Sequence, residues 1–170
     1  MNRAWNTALG GWQMTDIFQA RSGDPLTMAY NPSTNAQVST LITINGRNSY
    51  RPNLVPGVPV KNSTWAYNSN LGGIVYLNSS AYTTPPANAP FGNSPRDAVR
   101  GFDFWQLDTG LTKDFPIMDK VKLQFRAEAF NITNKTNYGD PNTALGGTFG
   151  VINSIQGAAR QLQFAGKIIF

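Results

Sequence analysis

From Val121 to Ala129 the chain alternates without a break. Val121, Leu123, Phe125, Ala127 and Ala129 are apolar, and Lys122, Gln124, Arg126 and Glu128 between them are polar or charged. A period of two puts the two sets on opposite faces of an extended strand. A helix would bring Lys122 beside Arg126 and Gln124 beside Glu128 and spread charge around the cylinder, so the helical alternative fails. Three more segments show the same pattern. Trp12, Met14, Phe18 and Ala20 oppose Gln13, Thr15, Gln19 and Arg21. Trp105, Leu107, Thr109 and Leu111 oppose Gln106, Asp108, Gly110 and Thr112. Leu162, Phe164, Gly166, Ile168 and Phe170 oppose Gln161, Gln163, Ala165 and Lys167, with Ile169 the misfit. The predicted strands are 11–20, 103–115, 121–132 and 160–170.

Strand length decides the class. Strands of soluble proteins average ~5–6 residues, whereas a tilted membrane-spanning strand needs ~9–11, and all four segments reach that length. The expected fold is all-β: an antiparallel meander forming four strands of a large transmembrane β-barrel, an open curved sheet when taken alone. Aromatics near the segment ends (Trp12, Trp105, Phe115 and Phe130, with Phe164 and Phe170) suit the interfacial girdles of such barrels. Ordinary sheet packing is the alternative use for them. Asp16 disturbs the pattern, since it shares the parity of Trp12, Met14 and Phe18; a β-bulge that shifts the register is one remedy.

The connections run long, short, long: 22–100, then 116–120, then 133–159. Outer-membrane barrels distribute external loops and periplasmic turns in this way. Nine of the eleven prolines lie between Pro25 and Pro95. Proline cannot donate to a sheet ladder, so 22–100 is expected to be a mostly irregular external loop. Short strands are predicted within it at Leu26–Tyr30 and Val38–Ile44, the second closing on the turn pair Asn45-Gly46.

Composition narrows the function. Charged residues make up only 14%, against ~25% in typical soluble domains. The net charge of +5 raises the question of nucleic acid. Arg3, Arg21, Arg47, Arg51, Lys61, Arg96 and Arg100 are scattered, without the clustered footprint such binding needs, and no nucleic-acid partner is expected. Cysteine and histidine are both absent, which removes thiolate metal sites, disulfides and the commonest general base. No phosphate-binding glycine loop occurs, and Asp103 and Asp108 fall on opposite faces of their strand. No catalytic residue, cofactor or metal is expected, and the chain does not read as an enzyme. No apolar run of helical membrane-spanning length exists. The first residues lack the apolar stretch of a signal peptide, so an export signal is expected elsewhere and the chain reads as a fragment of something longer.

Particular runs carry a resemblance. Gly101–Phe115 resembles a down-strand of TonB-dependent outer-membrane receptors, and Leu123–Asn134, LQFRAEAFNITN, looks like the strand that follows it. Arg160–Phe170 is similar to their ending. Gly10–Met14 with Ser22–Thr27, and Arg51–Val55, have counterparts in the same order. The Oar-like subgroup, whose members carry a carboxypeptidase-regulatory-like domain at the other end, is the nearest resemblance. It implies the last four strands of a barrel of about 22 strands with a plugged lumen, in the bacterial outer membrane. It also implies as partners the membrane lipid, the rest of the barrel and its N-terminal plug, the barrel-assembly machinery, and the TonB system acting through a part absent here. On that footing Phe164, Ile168 and Phe170 form the assembly signal, and Asp108, Lys122, Gln124, Arg126, Glu128 and Gln163 face the lumen. A secreted β-sandwich that binds ligand through Tyr30, Tyr50, Trp65, Tyr67, Tyr76 and Tyr82 is the alternative from a different class.

Overall fold

The computed structural model describes residues 9–30, 50–86 and 89–170. Among them the chain forms thirteen strands and one short 3-10 turn. They are β1 (Trp12–Arg21), β2 (Pro25–Leu26), β3 (Asn53–Leu54), β4 (Tyr67–Asn68), β5 (Gly73–Val75), β6 (Tyr82–Thr83) and β7 (Val99–Arg100). After these come β8 (Phe104–Met118), β9 (Val121–Phe130), β10 (Asn137–Tyr138), β11 (Val151–Ile152), β12 (Ile155–Gln156) and β13 (Gln161–Ile169). No helix of the described residues is long and apolar enough to cross a membrane. The predicted strand Val38–Ile44 and its Asn45-Gly46 turn lie outside the described residues.

Two compact units account for the chain: residues up to Arg21 with Phe104–Asn137 and Gln156–Phe170, and Ser22–Asp103 with Tyr138–Ile155. The first is one antiparallel sheet in the order β1-β8-β9-β13. Its strands are 10, 15, 10 and 9 residues long, where 10, 13, 12 and 11 were expected. Pairing joins Met14 to Leu111, Leu111 to Ala127, and Ala127 to Phe164, so one row of apolar side chains crosses all four strands. Next to it, Thr15 pairs with Gly110, Gly110 with Glu128, and Glu128 with Gln163. A slip of one residue anywhere would interchange the faces, and none occurs before Pro116.

The hairpin between β8 and β9 is tighter than expected. Instead of a turn over 116–120, β8 continues to Met118 and only Asp119 and Lys120 turn the chain. Pro116 is accommodated because the register shifts between Pro116 and Met118. A bulge there spares the ladder a missing N–H, and Pro116 still lies opposite Lys122. At the other end β9 stops at Phe130, two residues early, because Asn131 adopts a left-handed φ of 50°.

The second unit is mostly irregular, as expected of 22–100, yet it is compact. Among its described residues no long strand occurs, but residue pairs stitch it together: β2 with β7, β3 with β6, and β4-β5-β11 as a small sheet. The predicted strand Leu26–Tyr30 shrinks to β2 plus a bridge from Ala29 to Ala144. Leu26, Met28, Tyr76, Leu77, Ala81, Tyr82, Val99, Phe149 and Ile152 form a buried core, to which the second long connection contributes Phe149 and Ile152. Close packing at its centre requires Gly150: it has φ 75°, and a Cβ there would lie 2.6 Å from the Leu77 carbonyl oxygen.

Candidate functional site: two faces of a strand wall

One face of the four-stranded sheet carries Trp12, Met14, Phe18, Leu107, Leu111, Leu123, Phe125, Ala127, Leu162, Phe164 and Ile168, as the register dictates. Among the described residues, nothing covers the side chains of its outer strands. Met14 and Phe18 are each 65% exposed and Phe164 is 68% exposed. Soluble monomers rarely leave so large a continuous apolar area bare. The five most open side chains (Met14, Phe18, Leu162, Phe164, Ile168) together represent roughly 5–10 kcal/mol of transfer free energy, at ~1–2 kcal/mol each for partial coverage. The rings touch across the strands. Trp12 meets Phe125 edge-on at 6.3 Å, Phe18 lies 6.3 Å from Trp105, and Phe125 stacks at 6.4 Å on Phe164.

The other face is polar. Arg126 and Glu128 form an ion pair at 2.5 Å. Gln124 donates to Asp114 at 3.0 Å. Asp108 accepts from the Gln106 amide at 2.7 Å and from the backbone N–H of Asn131 at 2.8 Å. Gln163 and Lys122 share this face, opposite Glu128 and Ile169 respectively. Gly110, between Thr15 and Glu128, leaves a shallow notch of about 180 Å³ in the side-chain layer, bounded by Asp108, Arg126 and Phe130. The sheet thus gathers all six polar residues expected on one side.

The aromatic set divides. Trp12 and Phe115 sit at the hairpin end of the apolar face and Trp105 at the far end. Phe130, expected beside them, pairs with Gln161 and lines the polar notch, so it belongs to the other face. Its even number in a strand whose odd positions are apolar already carried that information. Ile168 and Phe164 lie on the apolar face, and Phe170, just past β13, is 93% exposed. Of the aromatics proposed for a binding surface, Tyr30, Tyr50, Tyr76 and Tyr82 are buried within the second unit, whereas Trp65 and Tyr67 are exposed.

Asp16 stays on the apolar face. It pairs with Thr109 in a ladder that runs unbroken from Trp12 to Arg21, so no bulge relieves it. A second ionisable residue on that face escaped the sequence reading. Lys113 is 3% exposed; its Nζ donates to the Gly10 carbonyl at 2.7 Å and lies 5.1 Å from the ring centres of both Trp12 and Phe115. Its parity with Leu111 and Phe115 was the available signal.

At the end remote from the hairpin, asparagines replace backbone pairing. Asn131 is 2% exposed, and its amide donates to the carbonyls of Lys135 and Ala158 at 3.0 Å each. Its Oδ1 accepts the Lys135 N–H at 3.1 Å. Asn137 copies a strand neighbour: Oδ1 takes the Trp105 N–H at 3.2 Å, and Nδ2 donates to the Trp105 carbonyl at 3.1 Å.

Long antiparallel strands, unlike faces and a bare apolar side define a wall of a transmembrane β-barrel. Comparison with known families agrees: the model described as "Outer membrane beta barrel domain" matches residues 1–163. The chain belongs to that family, and its place is the bacterial outer membrane. No match emerges among curated proteins, and none among solved structures.

Proposed function

We propose that this wall belongs to a TonB-dependent transporter of the Oar-like kind and is structural, with no enzymatic step of its own. The ordered series of motifs supports the narrower family, from Gly10–Met14 through Leu123–Asn134 to Arg160–Phe170. In this reading the apolar face meets lipid, and Asp108, Lys122, Gln124, Arg126, Glu128 and Gln163 line a wet lumen that faces a plug. The polar notch at Gly110 and the Arg126–Glu128 pair suit a hydrated interior. Trp105 and Phe115 are ten positions apart on β8, about 33 Å of strand at ~3.3 Å per residue. Tilted by ~40°, that length spans about 25 Å, the height of the apolar band in such barrels. Phe164 and Ile168 then offer the assembly machinery an apolar edge as the strand is inserted.

The observation that carries the reading is the register, continuous as far as Pro116, that keeps Asp108, Lys122, Gln124, Arg126, Glu128 and Gln163 on one face. The test uses the full-length gene product in native outer membranes. It is expected to co-purify with the periplasmic domain of TonB after cross-linking, and uptake of its substrate is expected to stop when the proton-motive force is collapsed. A full-length product that never cross-links to TonB would overturn the assignment while leaving the barrel intact.

A further inference from the structure

No Asp, Glu, Lys or Arg occurs from Asn62 through Pro95, although this stretch builds much of the second unit's surface. What it exposes is neutral: Ser63, Thr64, Ser69 and Asn70, with two large aromatics among them. Trp65 is 55% exposed and Tyr67 70%. Trp65 is nonetheless held in place. Phe102 meets it at 4.7 Å with the rings perpendicular, Tyr76 meets it edge-on at 5.5 Å, and its Nε1–H donates to the Asn62 carbonyl at 3.2 Å. Tyr76 is itself fixed by donating its hydroxyl to the Arg100 carbonyl at 3.0 Å.

We infer that Trp65 is a stacking platform for a neutral glycan. A fixed aromatic face loses little conformational entropy on binding, which is what an economical recognition surface needs. The ring face matches the apolar C–H face of a sugar, and the surrounding hydroxyl and amide groups match its hydroxyls. Residues 62–95 bring no charge to the ring, and the neighbouring cation, Lys61, is already engaged over the Tyr76 ring at 4.9 Å, so uncharged hydroxyl and amide groups dominate what a ligand meets. A bilayer interface is the other environment that attracts tryptophan, but there the indole N–H serves the lipid headgroups. Here that N–H is already used within the protein, which leaves the ring as the surface on offer. The proposal does not depend on TonB coupling.

The experiment uses the full-length protein in nanodiscs, titrated with linear gluco-, xylo- and manno-hexaoses by calorimetry and tryptophan fluorescence. At least one neutral hexaose is expected to bind saturably. Trp65→Ala should weaken it about three- to tenfold, the loss expected of one aromatic stack, and Trp65→Phe should retain most of the affinity. Limited proteolysis identical to wild type certifies the variants as folded, and Tyr67→Ala supplies a second probe of the same surface. Binding unchanged by Trp65→Ala, or no binding of any neutral hexaose, overturns the proposal. Quenching of Trp65 by brominated lipid, read as the difference between wild type and Trp65→Phe, overturns it in favour of a membrane anchor.

Discussion

Asn131 ends β9, and its replacement offers a sharp test of how the strand wall is closed at one end. The side chain makes three short bonds, to the Lys135 carbonyl, the Lys135 N–H and the Ala158 carbonyl. Each such bond contributes ~0.5–1.5 kcal/mol net, and more is lost when the partner stays buried and unpaired. Alanine would also have to hold φ near 50°, a left-handed conformation costing ~1–2 kcal/mol for a residue with a Cβ and no local hydrogen bond. Together these put Asn131→Ala at about 3–5 kcal/mol of lost stability. Glycine removes the bonds but not the backbone fit, so Asn131→Gly should be about 1 kcal/mol less damaging. Urea unfolding of the vesicle-inserted protein, followed by tryptophan fluorescence, gives both numbers. If Asn131→Ala falls within ~0.5 kcal/mol of wild type, the asparagine corner is decoration. If glycine is no better than alanine, the left-handed backbone is not under strain.

Other consequences are as direct. Phe164→Lys puts a cation on the apolar face. It should cost roughly 3–6 kcal/mol, from ~2–4 for the charge in hydrocarbon and the remainder for the lost ring. Gln163→Lys, one residue away, should stay within ~0.5 kcal/mol; equal effects in folding yield would refute the two-faced wall. In the second unit, burial raises the pKa of Tyr82, and burial together with nearby Tyr50 raises that of Tyr30, above the ordinary tyrosine value of 10.0. Below pH 10 both folded and unfolded chains hold these protons, so stability is unaffected. Above it the unfolded chain ionises first, and stability falls as pH climbs toward the raised values. Absorbance at 295 nm should show two late-titrating tyrosines, and Tyr82→Phe should blunt the alkaline loss of protease resistance. A pH-independent digestion rate between 9 and 11 would count against this.

The strands were legible because their chemistry repeats every two residues over lengths no soluble sheet needs. Val121–Phe130 and Gln161–Ile169 needed only that period, and lipid on one side with water on the other is what writes it. The hairpin was misjudged because Pro116 reads locally as a strand breaker, whereas a bulge one residue later lets β8 carry it. The second unit was opaque for a different reason. Its core joins Leu26 and Met28 to Tyr76, Tyr82 and Val99, and then to Phe149 and Ile152 from the other side of two long strands. Pairs of residues two or three long carry no period, so contacts across such separations leave no local trace. Asn131 and Asn137 were visible as polar loop residues, but their roles depend on partners that only the fold brings near. Lys113 shares the parity of Leu111 and Phe115, but its burial depends on Gly10 and Trp12, which only the β1–β8 pairing brings near.

The central claim is that odd-numbered positions of β9 meet hydrocarbon and even-numbered ones meet water. These 170 residues contain no cysteine, and with any cysteine elsewhere in the full-length protein replaced by serine, single cysteines at each position from Leu123 to Glu128 can carry a nitroxide label in liposomes. Accessibility to oxygen should peak at Leu123, Phe125 and Ala127, and accessibility to a water-soluble nickel chelate at Gln124, Arg126 and Glu128. A profile without a period of two, or one with the phases exchanged, would contradict the account at its root.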